Sequence, residues 1–140
     1  MNIFLDANIL VSVLNKEYPL FTYSSRILSL ANQPKYNLYT SPVCLAIAFY
    51  FTEKKSKSAL AKQKIETLCE HILIADNTSA AVKNTLLNKK AHDFEDGLEY
   101  YAAIEKKCSC IITENKEDFY FAEIEVLSSK EFFNQYMLKN

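Results

Sequence analysis

Five short apolar runs separated by stretches of helical periodicity constrain the fold of this chain more than any other feature. They are "NIFL" at Asn2 to Leu5, "YNLYTS" at Tyr36 to Ser41, "ILIA" at Ile72 to Ala75, "CIIT" at Cys110 to Thr113 and, as a fifth candidate, "IEVL" at Ile124 to Leu127. Runs this short, rich in β-branched and aromatic residues, read as strands. The intervening segments read as helices. "ANILVSVLN" carries Ile9, Leu10, Val13 and Leu14 at helical spacing, and a second helix is expected over Tyr23 to Ala31, ended by Gln33-Pro34. Ser41-Pro42 opens a strongly apolar helix, "VCLAIAFYF", with a serine cap before a proline in the first turn. Further helices are expected over "SKSALAKQKIETLCEH", Asn77 to Leu87, Asp93 to Lys107 and Ser129 to Leu138. In the Asp93 to Lys107 segment, Phe94, Leu98, Tyr101, Ala102 and Ile104 share one face. Strands alternating with helices predict α/β architecture: a central parallel sheet of four or five strands between two helical layers.

At 140 residues the chain is sized for one domain, 1–140, with a core that needs no disulfide or structural metal. A formal net charge of −1 excludes a polybasic nucleic-acid binder, so any polyanion must be held by a local patch. "EKKSKS", Lys62, Lys64 and "NKK" at Asn88 to Lys90 are candidates for one, against the usual fate of lysine runs as solvated helix faces. A single glycine, Gly97, excludes glycine-rich phosphate loops, which need at least two at fixed spacing. No apolar run approaches the ~20 residues that cross a bilayer, and the start lacks a basic leader, which together predict a cytoplasmic protein with no membrane partner. The four cysteines do not match zinc-ligand spacing and are expected to be reduced and mostly buried. His71 and His92 are expected at the surface or its boundary.

Acidic residues flank the "CIIT" run on both sides, and their placement points to chemistry. In an open parallel sheet, the loops after the strand ends line one edge, where ligands bind near the topological switch point. Asp6 follows the first strand directly, while Asn115 and Asp118 follow "CIIT". Asp93 and Asp96 open the preceding helix, which converges on the same rim if it starts there. Asp6 lies between Leu5 and Ala7, where an unpartnered carboxylate is costly to bury. Asp93 fits an N-cap, with Glu95 and Asp96 favourable at the positive helix end. Asp96 can also point inward, and Gly97 beside it leaves room for a ligand. Asp118 fits the cap of a segment starting at Phe119 as well as a site role, and Glu114 and Glu117 are expected to be solvated. Thr113 is placed to hydrogen-bond Asp6, and Asn115 to orient a water or a neighbouring carboxylate. Converging carboxylates raise one another's pKa unless a cation offsets the repulsion, and oxygen-only sites suit Mg2+ or Mn2+.

The combination of "FLDANIL", "DFEDGLEYYAAIEKKCSCIITENKEDF" and the order of elements between them resembles the PIN domain family, and within it the bacterial single-domain nucleases that act as VapC-type toxins. The resemblance spans essentially the whole chain. It implies a metal-dependent endoribonuclease with an acidic cluster for Mg2+ or Mn2+, RNA as substrate, and an antitoxin protein or a second copy of the chain as partner. On the family's pattern the metal-site acids fall on Asp6, Asp96 and Asp118, with Asn115 beside the last. One departure stands out. The family's second acid is usually a glutamate early in the helix after the second strand, yet Ser41 to Phe51 contains no carboxylate. Two readings therefore remain: a nuclease working with three acids, or a non-catalytic module that binds RNA or protein. An aspartate-nucleophile phosphatase or phospho-receiver is disfavoured because "DANIL" has no second aspartate two residues after Asp6 and no paired acids precede it. The apolar "IAFYF" at Ile47 to Phe51 is expected in the core, with partner contact as the alternative for it and for "PLFTYSS" at Pro19 to Ser25.

Overall fold

The computed structural model describes residues 1–138; Lys139 and Asn140, the last of the expected 1–140 unit, lie outside the described residues. All five apolar runs form strands: β1 (Asn2–Leu5), β2 (Asn37–Thr40), β3 (Leu73–Ile74), β4 (Cys110–Ile112) and β5 (Glu125–Leu127). Every pairing is parallel and the order is β3-β2-β1-β4-β5. Ile3, Phe4, Leu5, Cys110, Ile111 and Ile112 are fully buried, as expected of central parallel strands covered on both faces. Leu73 and Ile74 stay exposed because β3 is an edge strand.

Helices α1 (Ala7–Leu14), α2 (Phe21–Leu28), α3 (Pro42–Ser56), α4 (Ser58–Cys69), α5 (Ser79–Leu87), α6 (Phe94–Glu105) and α7 (Ser129–Phe132) complete the α/β/α arrangement. Side-chain oxygens of Asp6, Ser41, Thr78, Asp93 and Ser128 cap α1, α3, α5, α6 and α7, each taking up a backbone N–H that the helix leaves free. Helix α2 starts two residues before the expected Tyr23 and tightens into a 3-10 turn over Ser29–Asn32. The expected final helix is present in two pieces, α7 and a wider turn over Phe133–Met137. "NKEDF" contributes a 3-10 turn, Lys116–Phe119. All four cysteines are free; Cys44, Cys108 and Cys110 are buried and Cys69 half-buried. Both histidines are exposed.

Three expectations are corrected. "IAFYF" does not sink into the core: Ala48 is buried, but Tyr50 and Phe51 are 52% and 47% exposed. Helix α3 is apolar around much of its circumference, while its fully covered side is the narrow stripe of Cys44, Ala48 and Thr52. On α6, Phe94 and Ile104 are exposed and the buried set is Gly97, Leu98, Glu99, Tyr100, Ala102 and Ala103. This helix packs against α5, α3 and β4 together, so its covered arc is rotated from the one that apolar spacing suggests. Gly97 makes no room for a ligand. A methyl group there would lie 2.3 Å from Thr85 Cγ2, so the glycine admits α5 instead. Among the candidate basic residues, Lys55 and Lys64 are committed to the carboxyl end of α1, donating to the carbonyls of Asn15 and Leu14 (3.2 Å for Lys64).

Candidate active site

Strand order reverses at β1: the chain runs outward through β2 and β3, then returns to place β4 and β5 on the other side. The crevice at the carboxyl ends of β1 and β4 is therefore the switch point where such sheets bind ligands. Register pairs Leu5 with Ile112, so the residues that follow them, Asp6 and Thr113, meet across that crevice. The Asp6 N–H donates to the Ile112 carbonyl (3.0 Å). Thr113 Oγ1 donates to Asp6 Oδ2 (2.7 Å), the contact expected from sequence. Asp6 Oδ1 accepts from the Ala7 N–H (2.6 Å), so one carboxylate both starts α1 and faces the crevice.

Asn8 adds a clamp that sequence reasoning missed. Its amide donates to Asp6 Oδ2 (3.4 Å) and Thr113 Oγ1 (3.2 Å), and its Oδ1 accepts from the Glu114 N–H (3.2 Å). The Asn115 N–H donates to Thr113 Oγ1 (3.0 Å), tying the loop after β4 to the same knot. Asp93 caps α6 by accepting from the Asp96 N–H (3.1 Å), which fixes the turn from which Asp96 projects. Glu114 departs from the solvated role expected of it. It accepts from Ser129 N–H (2.9 Å) and Oγ (2.6 Å) at the start of α7. Glu117 is exposed as expected.

Asp6, Asp96, Asp118 and Asn115 line one cleft of about 390 Å³, together with Glu95, Glu99, Ile47 and Phe51. Asp118 sits within the 3-10 turn that follows Asn115 and does not cap a segment of its own. Glu99 also escaped sequence reasoning: it is 1% exposed, on the floor of the cleft. Oxygens of Asp6 and Glu99 and the Cys44 sulfur lie within 4.8 Å of one another, the one such set of three acid, thiol or imidazole ligand atoms among the described residues. The signal for Glu99 was present in "FEDGLEYY", since residues three apart on a helix share a face and Asp96 is three before it.

Negative charge is concentrated here without relief. Among the described residues the only ion pair is Lys116 with Glu131 (2.8 Å), so no basic side chain pairs with any acid of the cleft. Burial, then Asp93, Asp118, Asp6 and Glu95, pushes the Asp96 carboxyl up to about 7. Glu99 is held well above the carboxylate range by burial first and by Asp6 next. Glu95 and Asp118 are raised too, by lost hydration first and then by neighbouring acids. Burial also raises the Cys44 thiol, which therefore stays protonated. Carboxylates crowded this way suit a cation bound by oxygen. The donor set fits a hard divalent ion better than a soft one, because the protonated thiol is a poor ligand.

Comparison with known proteins agrees with this architecture. A family model described as "PIN domain" matches residues 2–117. Ribonuclease VapC1 of Aquifex aeolicus (strain VF5) is 26% identical over 133 residues, spanning 93% of this chain and 92% of that protein. Among solved structures, VapBC-1 from nontypeable Haemophilus influenzae superimposes with a TM-score of 0.70 at 18% identity, covering 93% of this chain and 99% of that one. VapBC2 from Rickettsia felis, bound to a DNA fragment from its promoter, superimposes with a TM-score of 0.67 at 21% identity, covering 91% and 98%. The two structural likenesses speak to the fold.

Proposed function

The chain belongs to the PIN domain family, and on that premise we propose that it is a metal-dependent endoribonuclease, the toxin of a toxin–antitoxin pair, hydrolysing RNA phosphodiester bonds in the cytoplasm. The observation that carries this reading is the convergence of Asp6, Asp96 and Asp118, far apart in sequence, on one cleft where no basic side chain among the described residues pairs with them. A relative named a ribonuclease, alignable over nearly its whole length, supports the activity. The VapBC complexes support a protein partner, an antitoxin, and a second copy of the chain is the other partner we consider. Among the described residues no helix is long and apolar enough to cross a membrane.

We assign Asp6, Asp96 and Asp118 to hold Mg2+ or Mn2+. When bound, such an ion polarises the phosphate and lowers the pKa of water for attack on phosphorus. The chain's own residues orient and position. Thr113 and Asn8 lock the Asp6 carboxylate in place, Asp93 sets the first turn of α6 and so the direction of Asp96, and Asn115 lies beside Asp118 on the opposite lip. On the α3 side, Phe51 lines the cleft and Tyr50 is exposed next to it, with Lys54 Nζ 4.2 Å from the Tyr50 ring centroid. Exposed aromatic faces beside a lysine suit unstacked RNA bases and a phosphate.

The direct test is cleavage of a structured RNA by the purified chain. Cleavage with Mn2+ that stops in EDTA is expected; no cleavage with Mn2+, or equal cleavage in EDTA, would refute the assignment. A second expectation concerns pH. Because the folded-state pKa of Asp96, about 7, lies above the ordinary carboxylate value, the folded chain holds an extra proton between roughly pH 4 and 7. Stability contributed this way is present at low pH and is lost as pH rises through about 7. In EDTA the thermal midpoint should fall between pH 5.5 and 8, with a shallower fall in Asp96→Asn. Mn2+, which competes with that proton, should raise the midpoint more at pH 8 than at pH 5.5. An Mn2+ effect that is larger at the lower pH would contradict the assignment of Asp96.

A further inference from the structure

We propose that Glu99 completes the cation site of this chain, supplying from α6 the carboxylate that the early part of α3, up to Phe51, lacks; the proposal rests on the nuclease reading above and names a further ligand of the same site. The α3 residues facing the cleft are Ile47 and Phe51, neither of which can coordinate a cation. Glu99 approaches from across the cleft, one helical turn after Asp96 and on the same face. Its oxygen lies within 4.8 Å of an Asp6 oxygen, against the ~4.2 Å that separates two ligands on opposite sides of an octahedral Mg2+.

Burial makes this placement informative. Glu99 is 1% exposed and has no lysine, arginine or histidine partner among the described residues. A carboxylate is costly to keep in such a place without a counter-charge, whereas glutamine or leucine would fill the volume at no electrostatic cost. The Cys44 sulfur lies 3.0 Å from Glu99 Oε1 and donates to it, turning the carboxyl toward Asp6. Cys44 itself gives its S–H to Glu99, and a sulfur is a poor match for an oxygen-seeking ion, so it orients the carboxyl and is not a ligand. The departure seen in sequence, no acid between Ser41 and Phe51, is thus compensated by an acid on a different helix.

The test is calorimetric titration of Mn2+ into the parent chain, Glu99→Gln and the double variant Glu99→Gln/Ile47→Glu, with thermal unfolding of each in EDTA. Glu99→Gln should weaken Mn2+ binding roughly 10–100-fold without lowering the EDTA midpoint, since glutamine keeps the shape and adds no buried charge. Adding Ile47→Glu, which returns a carboxylate from the α3 side, should recover part of the affinity. Binding by Glu99→Gln within about twofold of the parent would make Glu99 merely a hydrogen-bond partner of Asp6 and overturn the proposal while leaving the nuclease reading intact. Lost binding with a lowered EDTA midpoint and no recovery from Ile47→Glu would make it a packing residue, overturning the proposal equally. A parent that binds no Mn2+ would instead remove the metal-site reading beneath it.

Discussion

Asp6→Asn should lower RNA cleavage at saturating Mn2+ by about 100-fold or more, in line with the loss of one preorganised charged group from a catalytic centre, while the chain remains folded. Asparagine is as good a helix cap as aspartate, so the bond to the Ala7 N–H and the start of α1 survive. Its NH2 then stands where Oδ2 did and can donate to the Thr113 hydroxyl, while the backbone bond from residue 6 to Ile112 preserves the junction between β1 and β4. What it removes is the charge at the switch point, on a residue that follows β1, bonds to Ile112 of β4 and lines the cleft with Asp96, Glu99 and Asp118. Single-turnover cleavage, with circular dichroism to confirm the fold, measures the effect. Activity within about threefold of the parent in a properly folded Asp6→Asn chain would mean that the cleft is not where RNA is cut.

Gly97→Ala should destabilise the chain by about 1–3 kcal/mol, although alanine is the better helix former by roughly 1 kcal/mol. The added methyl would stand 2.3 Å from Thr85 Cγ2, 3.1 Å from Oγ1 and 3.2 Å from Cβ. Thr85 is β-branched and buried, its rotamer stiff, so it has little room to yield. Its hydroxyl already lacks a hydrogen-bond partner, which marks the contact as one set by packing. Helices α5 and α6 would have to separate, and α6 carries Asp96 and Glu99, so the cleft would lose definition along with stability. Thr85→Ala removes both the clashing methyl and the unpaired hydroxyl, and should restore most of the loss in the double variant. Urea unfolding of the two single variants and the double closes the thermodynamic cycle. A Gly97→Ala chain as stable as the parent would show that α6 does not lean on α5 this closely.

The elements that were readable in advance are those specified by neighbours in sequence. "NIFL" and "CIIT" are short enough and apolar enough to be nothing but buried strands, and both are. Ser41-Pro42 and Asp93 carry their cap chemistry within three residues of the N–H groups they satisfy. Asp6 is identifiable because a carboxylate directly after a buried strand needs a partner, and Thr113, at the end of "CIIT", is placed to supply one. The misreadings share another character. Tyr50 and Phe51 look like core by composition, yet whether they are covered depends on which side of α3 the rest of the chain occupies. Gly97 looked like space for a ligand because its neighbour Asp96 does face the cleft. A helix turns about 100° per residue, and that turn sends the next position toward α5. Glu99 carries no such mark, since nothing in a linear pattern distinguishes a glutamate pointing at water from one pointing at Asp6.

The sequence by itself determined the alternation of strands and helices, the parallel sheet and the acids at its carboxyl edge, because strand and helix periodicity, caps and turn signals act over a few residues. Only the tertiary structure decided that Glu99 is buried beside Asp6 and Cys44 and that an aromatic pair stands open at the rim. The physical reason is that these facts concern separations between side chains distant from one another along the chain. Such separations are set by how helices pack across a twisted sheet, which no local preference encodes.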